Sequence, residues 1–172
     1  IAWKDKARNF ARAEELALAA REEFPSPPGL YILPEMFATG FGMDAVEAAE
    51  DKNGPTASFL ARMARSTRAA WIGGLALRGA DGRVRNEALA FGADGQTLAR
   101  YAKMHPFSPA GEDRWCAPGH SPVLFSLHGA VMAPVICYDL RFPEIFRHAA
   151  RKSAEVFFVL ANWPARRRAH WL

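Results

Sequence analysis

Apolar residues recur along this chain with two distinct periods, and the places where one gives way to the other predict an ordered series of helices and strands. Between Ala7 and Glu23 small and aromatic residues return every three or four positions, with Phe10, Ala13, Ala17, Ala20 and Phe24 on one face. That spacing predicts an amphipathic helix, which the Pro25 to Gly29 segment breaks. Leu30 to Leu33 is a short continuous apolar run and reads as a buried strand. Thr56 to Thr67 returns to the helical period, with Phe59, Leu60 and Met63 apolar and Asn53-Gly54-Pro55 as its opening turn.

Three strand-like runs follow, Trp71 to Leu77, Val84 to Phe91 and Thr97 to Tyr101, separated by Asp81-Gly82 and Asp94-Gly95. Such turn dipeptides between apolar runs predict a β-meander. Beyond a loop from Lys103 to Gly119, Val123 to Leu127 and Val131 to Ile136 flank His128-Gly129 as a second hairpin. Glu144 to Lys152 and Val156 to Ala161 then read as a helix and a strand. No internal repeat or low-complexity tract interrupts the series. Periodicity by itself supports α/β or α+β and goes no further.

Composition narrows the class. The chain has 172 residues, 50% hydrophobic and 23% charged, enough to bury a core and unlike a disordered or fibrous sequence. No apolar stretch reaches the length of a membrane span and no secretory leader pattern opens the chain, which predicts a soluble protein without a membrane partner. The net charge of +4 comes mostly from arginines interleaved with acids. Arg166-Arg167-Arg168 is the one tight basic cluster, so nucleic acid is not the expected partner. Cys116 and Cys137 have neither CxxC spacing nor an adjacent His pair, so no zinc site and no disulfide framework is expected. A catalytic cysteine must stay reduced, which favours the cytoplasm.

The candidate chemistry lies where strands end. Val131 to Glu144, VMAPVICYDLRFPE, is a β-branched run that delivers Cys137 into an abrupt polar turn, with Pro143 suited to the first turn of the following helix. In open α/β sheets that end of a strand carries the ligand crevice, and nearby backbone N–H groups can face an oxyanion. A buried cysteine is more often an inert hydrophobe. Two other strand ends shift that balance. Glu35 closes Leu30-Tyr31-Ile32-Leu33-Pro34 beside aromatic residues, where partial desolvation suits a general base; its ordinary alternative is an exposed loop acid. Lys103 closes the Thr97 to Tyr101 run, where a lysine is normally a solvated edge charge but beside a thiol would lower the thiol pKa and stabilise an oxyanion.

Acid, lysine and cysteine in this order, in the segments LPEMFATGF, YAKMHPF and VICYDLRFPEIFR with NEALAFGADG between, resemble the nitrilase superfamily of carbon–nitrogen hydrolases. The resemblance covers most of the chain. It implies a four-layer α-β-β-α sandwich and a Glu35-Lys103-Cys137 triad that needs no metal and no organic cofactor. Tyr138 and Asp139 stand where nitrile-hydrolysing members carry Trp-Glu, so this chain is similar to the amidase side. With Asn162-Trp163-Pro164 it is most like the ω-amidases, which release ammonia from short dicarboxylic acid monoamides.

The resemblance further implies that Glu112 is a second glutamate orienting Lys103 and the substrate amide, with Asp113 as its rival. Lys103 would help to hold Cys137 as thiolate, and the Tyr138 N–H would share the oxyanion with the Lys103 ammonium. Phe41, Tyr138 and Trp163 are expected as pocket walls, and Arg167 or Arg141 as the partner of a substrate carboxylate, Arg141 having a competing structural role beside Asp139 and Glu144. A catalytic member would be a homodimer or larger homo-oligomer. Against the family pattern, the 1–172 segment is expected to be one carbon–nitrogen hydrolase domain lacking its first strand and its C-terminal part, with Leu172 at the start of a helix. Two alternatives stay open, a hydrolase of N-carbamoyl or other aliphatic amides and an inactive truncated remnant that serves as an interaction module.

Overall fold

The computed structural model describes all residues except Pro25, Pro27, Met43, Asp44, Trp171 and Leu172, and leaves out the side chains of Ala45 and His170. Two expectations fall partly outside these residues: the break at Pro25 to Gly29 and the helix starting at Leu172.

Helix α1 (Lys6–Glu23) begins at Asp5, whose carboxylate accepts the Arg8 N–H at 3.0 Å and satisfies one of the free donors of the first turn. Its inner stripe is Asn9, Ala13 and Ala17, with Phe10 stacked on Phe59 at 4.4 Å. Phe24 leaves the predicted stripe because the chain turns extended there, and it is 54% exposed. The single turn α2 (Ala45–Ala48) was not legible in the apolar pattern. Helix α3 (Pro55–Thr67) has proline in its first turn and buries Phe59, Leu60 and Met63. The Glu50 carboxylate accepts the Thr56 N–H at 2.8 Å and so serves this helix as a cap borrowed from another segment.

Among the described residues seven strands form two sheets. In the first, β1 (Leu30–Ile32), β2 (Ala70–Arg78), β3 (Val84–Phe91) and β4 (Thr97–Ala102) lie in that order. β1 runs parallel to β2 and the rest is the antiparallel meander that the Asp-Gly turns predicted. In the second, β5 (Phe125–Leu127) pairs antiparallel with β6 (Ala130–Ile136), which pairs parallel with β7 (Val156–Leu160). The β5–β6 turn has φ of 50° at His128 and 82° at Gly129, the two left-handed residues a tight hairpin turn asks for. Helix α4 (Pro143–Arg151) makes the parallel crossover from β6 to β7.

Alternation along the strands sorts the core into layers. Trp71, Leu75, Leu77, Leu89 and Phe91 face α1 and α3. The opposite faces of the same strands carry Ile72, Ala88, Ala90, Ala99 and Tyr101 to the second sheet, where they meet Met132, Ile136 and Leu160. Ile145 of α4 is buried with this second group, and Phe146 lies 5.1 Å from Phe157. The result is the helix-sheet-sheet-helix sandwich. Each large apolar side chain fully buried in it contributes roughly 1.5–3 kcal/mol. No described helix is long and apolar enough to cross a membrane.

Candidate active site

Each candidate side chain reaches the same point by a different local device. The β1 ladder continues past its last residue, with the Leu33 N–H donating to Ile72 O at 2.8 Å and the Gly74 N–H to Pro34 O at 3.1 Å. Glu35 thus rides closely along β2. Gly74 permits this approach, since a Cβ there would stand 2.7 Å from the Glu35 α-carbon. The chain then turns away at Met36, at φ 46°. On β4, Ala99 and Tyr101 point to the sheet interface, and Lys103 keeps that parity one residue beyond the strand. Its own N–H donates to Asn86 O at 2.9 Å.

Glu112 begins a 3-10 turn after Gly111 and is fully buried, whereas its rival Asp113 is exposed. Cys137 follows the last residue of β6 and opens the 3-10 turn Cys137–Arg141 at φ 47°. A non-glycine residue in that region costs roughly 1–3 kcal/mol, and both Met36 and Cys137 adjoin or belong to the site. Asp139 holds the elbow: its carboxylate accepts from the Ile136 N–H at 3.0 Å, the Tyr101 hydroxyl at 2.7 Å and the His105 N–H at 2.9 Å. One buried carboxylate therefore joins the nucleophile turn to the segment that follows Lys103.

The four side chains make one network. Lys103 Nζ donates to Glu35 Oε1 at 2.9 Å and to Glu112 Oε2 at 2.8 Å. Glu112 Oε2 also accepts the Phe107 N–H at 2.6 Å, and Glu35 Oε2 accepts the Asn162 N–H at 3.0 Å. Cys137 and Glu35 line the same cavity, and the Glu35 carboxylate acts electrostatically on the thiol. Glu35, Lys103 and Glu112 are each at most 1% exposed, so neither the exposed loop acid nor the solvated edge lysine describes them.

Burial decides the protonation states. Desolvation alone would lower the Lys103 pKa, but Glu35 and Glu112 together outweigh it and the ammonium is held on. For Cys137, burial pushes the pKa up, the Glu35 carboxylate pushes it further, and Lys103 pulls it down without reversing the sum. Both burial and the carboxylate therefore favour the protonated thiol over the thiolate. Cys116, buried against Met36, Ala76 and Val84, is pushed up to about 12 by burial first and Glu112 second.

A cavity of about 250 Å³ opens over the network, and Glu35 and Cys137 line it. All five residues expected in the pocket, Phe41, Tyr138, Arg141, Trp163 and Arg167, are in its wall, joined by Phe107 and Asn162, which the sequence reading missed. Phe41 also sits under the Lys103 ammonium, 5.3 Å from ring centroid to Nζ. Of the basic cluster, Arg166 and Arg168 are exposed and Arg167 turns inward, its guanidinium 5.2 Å from the Phe107 ring and 5.7 Å from that of Trp163. Arg141 lies 5.6 Å from the Trp163 ring. Such an arrangement can present a nucleophile, a base and a fixed positive charge to a carbonyl compound, with two further cations nearby.

Comparison with known proteins shows the family. The carbon-nitrogen hydrolase family model matches residues 1–172. The omega-amidase YafV of Yersinia enterocolitica is 33% identical over 171 residues, covering 99% of this chain and 63% of that protein. The 2-oxoglutaramate amidase of Bacillus subtilis is 31% identical over 141 residues, 81% of this chain and 54% of the relative. Among solved structures, XC1258 of Xanthomonas campestris, a CN-hydrolase superfamily protein with an arsenic adduct in its active site, superposes with a TM-score of 0.87 at 31% identity. That match covers 98% of this chain and 64% of the other. The chain thus spans a little over half to under two thirds of the length of these relatives.

Proposed function

This chain belongs to the carbon–nitrogen hydrolase family, and from that premise we propose that it is a thiol-dependent amidase releasing ammonia from a short dicarboxylic acid monoamide. The observation that carries the reading is the buried pairing of Glu35 with Lys103 in the wall of a cavity that Cys137 also lines.

Glu35 takes the thiol proton as Cys137 Sγ attacks the amide carbonyl carbon. The oxyanion is held by the Lys103 ammonium and the Tyr138 N–H, which belongs to the first turn of the 3-10 segment, where N–H groups have no partner within the helix. A donor of this kind typically contributes about 2.7–4 kcal/mol. The intermediate collapses, the C–N bond breaks, and Glu35 returns the proton to the departing ammonia, leaving a thioester. Water then attacks the thioester carbonyl, giving a proton to Glu35. Collapse of this second intermediate releases the carboxylic acid and restores the thiol. Glu112 keeps the Lys103 ammonium aimed throughout.

The substrate class follows from the cations. Arg167 Nε is buried without a hydrogen-bond partner among the described residues, and its guanidinium is braced by the Phe107 and Trp163 rings. A planar donor group so placed suits the distal carboxylate of a monoamide. The names of the Yersinia and Bacillus relatives support the same choice.

The test is ammonia release from α-ketoglutaramate and succinamate by the full-length protein and its Cys137→Ala variant, both shown to be folded by circular dichroism. Turnover that disappears in the variant is expected. A folded parent that leaves both amides intact, or a variant that still turns them over, would reject the reading.

A further inference from the structure

Asn86 is the side chain on which the two glutamates of the site converge. It is 1% exposed, and its Nδ2 donates to Glu35 Oε1 at 2.7 Å and to Glu112 Oε1 at 2.8 Å. Lys103 donates to the same two carboxylates. The four groups therefore close a ring, Lys103 to Glu35 to Asn86 to Glu112 and back. Cross-strand register makes the ring possible. Glu87 of β3 faces Ala102 of β4, which sets Asn86 opposite Lys103, and Lys103 N–H donates to Asn86 O at 2.9 Å.

The amide orientation is forced by charge. Turned over, its oxygen would meet two carboxylate oxygens at hydrogen-bond distance, so both N–H bonds must face the glutamates. The consequence is visible on the other side of the group, where Asn86 Oδ1 is buried with no hydrogen-bond partner among the described residues. A buried amide oxygen left unpaired is unfavourable, so the two donations to the glutamates carry this orientation.

The ring also treats the oxygens of Glu35 differently. Oε1 is occupied by Lys103 and Asn86, whereas Oε2 has the Asn162 N–H at 3.0 Å as its protein donor. We propose that Asn86 is a positioning residue for proton transfer: its one amide group locks Oε1 of Glu35 into the ring with Lys103 and Glu112, so that Oε2 is the oxygen that exchanges the proton with Cys137. The proposal rests on the reading of Glu35 as the base.

In the full-length protein, Asn86→Ala is expected to lower kcat for succinamate by roughly 10- to 100-fold, the effect of a misplaced reacting group, with KM within about threefold of the parent. Asn86→Asp, nearly the same shape but without the amide donors, should lower kcat at least as far, again with KM close to the parent's. A merely structural residue would lower the melting temperature and leave kcat per folded molecule where it was. A folded Asn86→Ala protein with the parental kcat overturns the proposal.

The side-chain amide signals of Asn86 in the unmutated, asparagine-labelled protein supply a second readout should either variant fail to fold. Both protons should exchange slowly with solvent and shift on Glu35→Gln substitution, and fast exchange or no shift overturns the assignment. An inactive parent would instead fail the proposed function, with the amide signals still deciding the role of Asn86.

Discussion

Lys103 Nζ and Glu35 Oε1 lie 2.9 Å apart in a region where neither side chain is more than 1% exposed, although 68 residues separate them in the chain. Desolvating both charges is costly, and the contact is sustained because Glu112, Asn86 and the Asn162 N–H supply further hydrogen bonds to the two groups. In the proposed mechanism the same pair supplies the base and the positive charge that act on the Cys137 thiol and its substrate.

Glu35→Gln keeps the shape of the side chain and removes the base. The variant should fold and lose about 10²- to 10⁴-fold in kcat/KM for amide hydrolysis, the usual contribution of a positioned general base. Steady-state ammonia release, with circular dichroism as the folding control, checks it. Near-parental turnover would remove Glu35 from the chemistry.

Gly74→Ala is predicted to reach the site through the backbone. A methyl group there meets the Glu35 α-carbon at 2.7 Å and the Met36 nitrogen at 2.9 Å, and backbone atoms cannot move aside cheaply. Gly73→Ala instead meets the Phe37 ring at 2.9 Å, on the helix-facing side of β2. Both should lower stability in a urea melt, by a typical overpacking cost of about 1–3 kcal/mol. Activity per folded molecule should fall sharply in Gly74→Ala and much less in Gly73→Ala. Equal losses would show that Gly74 has no special role.

Stability should decline on the alkaline side. The folded Cys116 pKa, pushed up to about 12 by burial, lies above its unfolded value of about 8.5, so its contribution is fully present below that value. As pH rises from there toward 12 the unfolded chain releases the proton and the folded chain keeps it. Unfolding is then favoured by about 1.4 kcal/mol per pH unit for each such thiol. Cys137 and Lys103, both raised in the fold, act in the same direction. Melting temperatures from pH 7 to 11 should fall, and Cys116→Ala should flatten the decline. An unchanged slope in that variant would contradict the assignment.

Arg167→Ala should raise KM for succinamate by roughly tenfold or more, the loss of a charge-assisted hydrogen bond of about 1.5–3 kcal/mol, and leave KM for butyramide nearly unchanged. Parallel kinetics on the two amides distinguish this from a general loss of the pocket. Equal changes on both substrates would remove Arg167 from carboxylate recognition.

Much of the fold was legible because its signals are local. The meander strand Val84–Phe91 was read to the residue, and the others to within one or two, since side-chain direction alternates with every residue whatever the rest of the chain does. Cys137, Lys103 and Glu35 could be picked out because each interrupts an apolar run at its end. Asn86 was passed over although it carries the same kind of signal, a polar residue with the parity of the buried Ala88 and Ala90. Asp139 was read as a neighbour of Arg141, and nothing in its surroundings along the chain predicts that it joins Ile136, Tyr101 and His105.

The sequence by itself determined which residues form strands and helices, which face each side chain takes, and that an acid, a lysine and a cysteine close three strands. Tertiary structure alone decided that these ends meet, that Glu112 rather than Asp113 joins them, and that Arg167 turns inward. The division has one physical cause. Backbone direction and apolar period are properties of neighbouring residues, whereas desolvation and charge pairing depend on whatever the fold brings within a few ångströms.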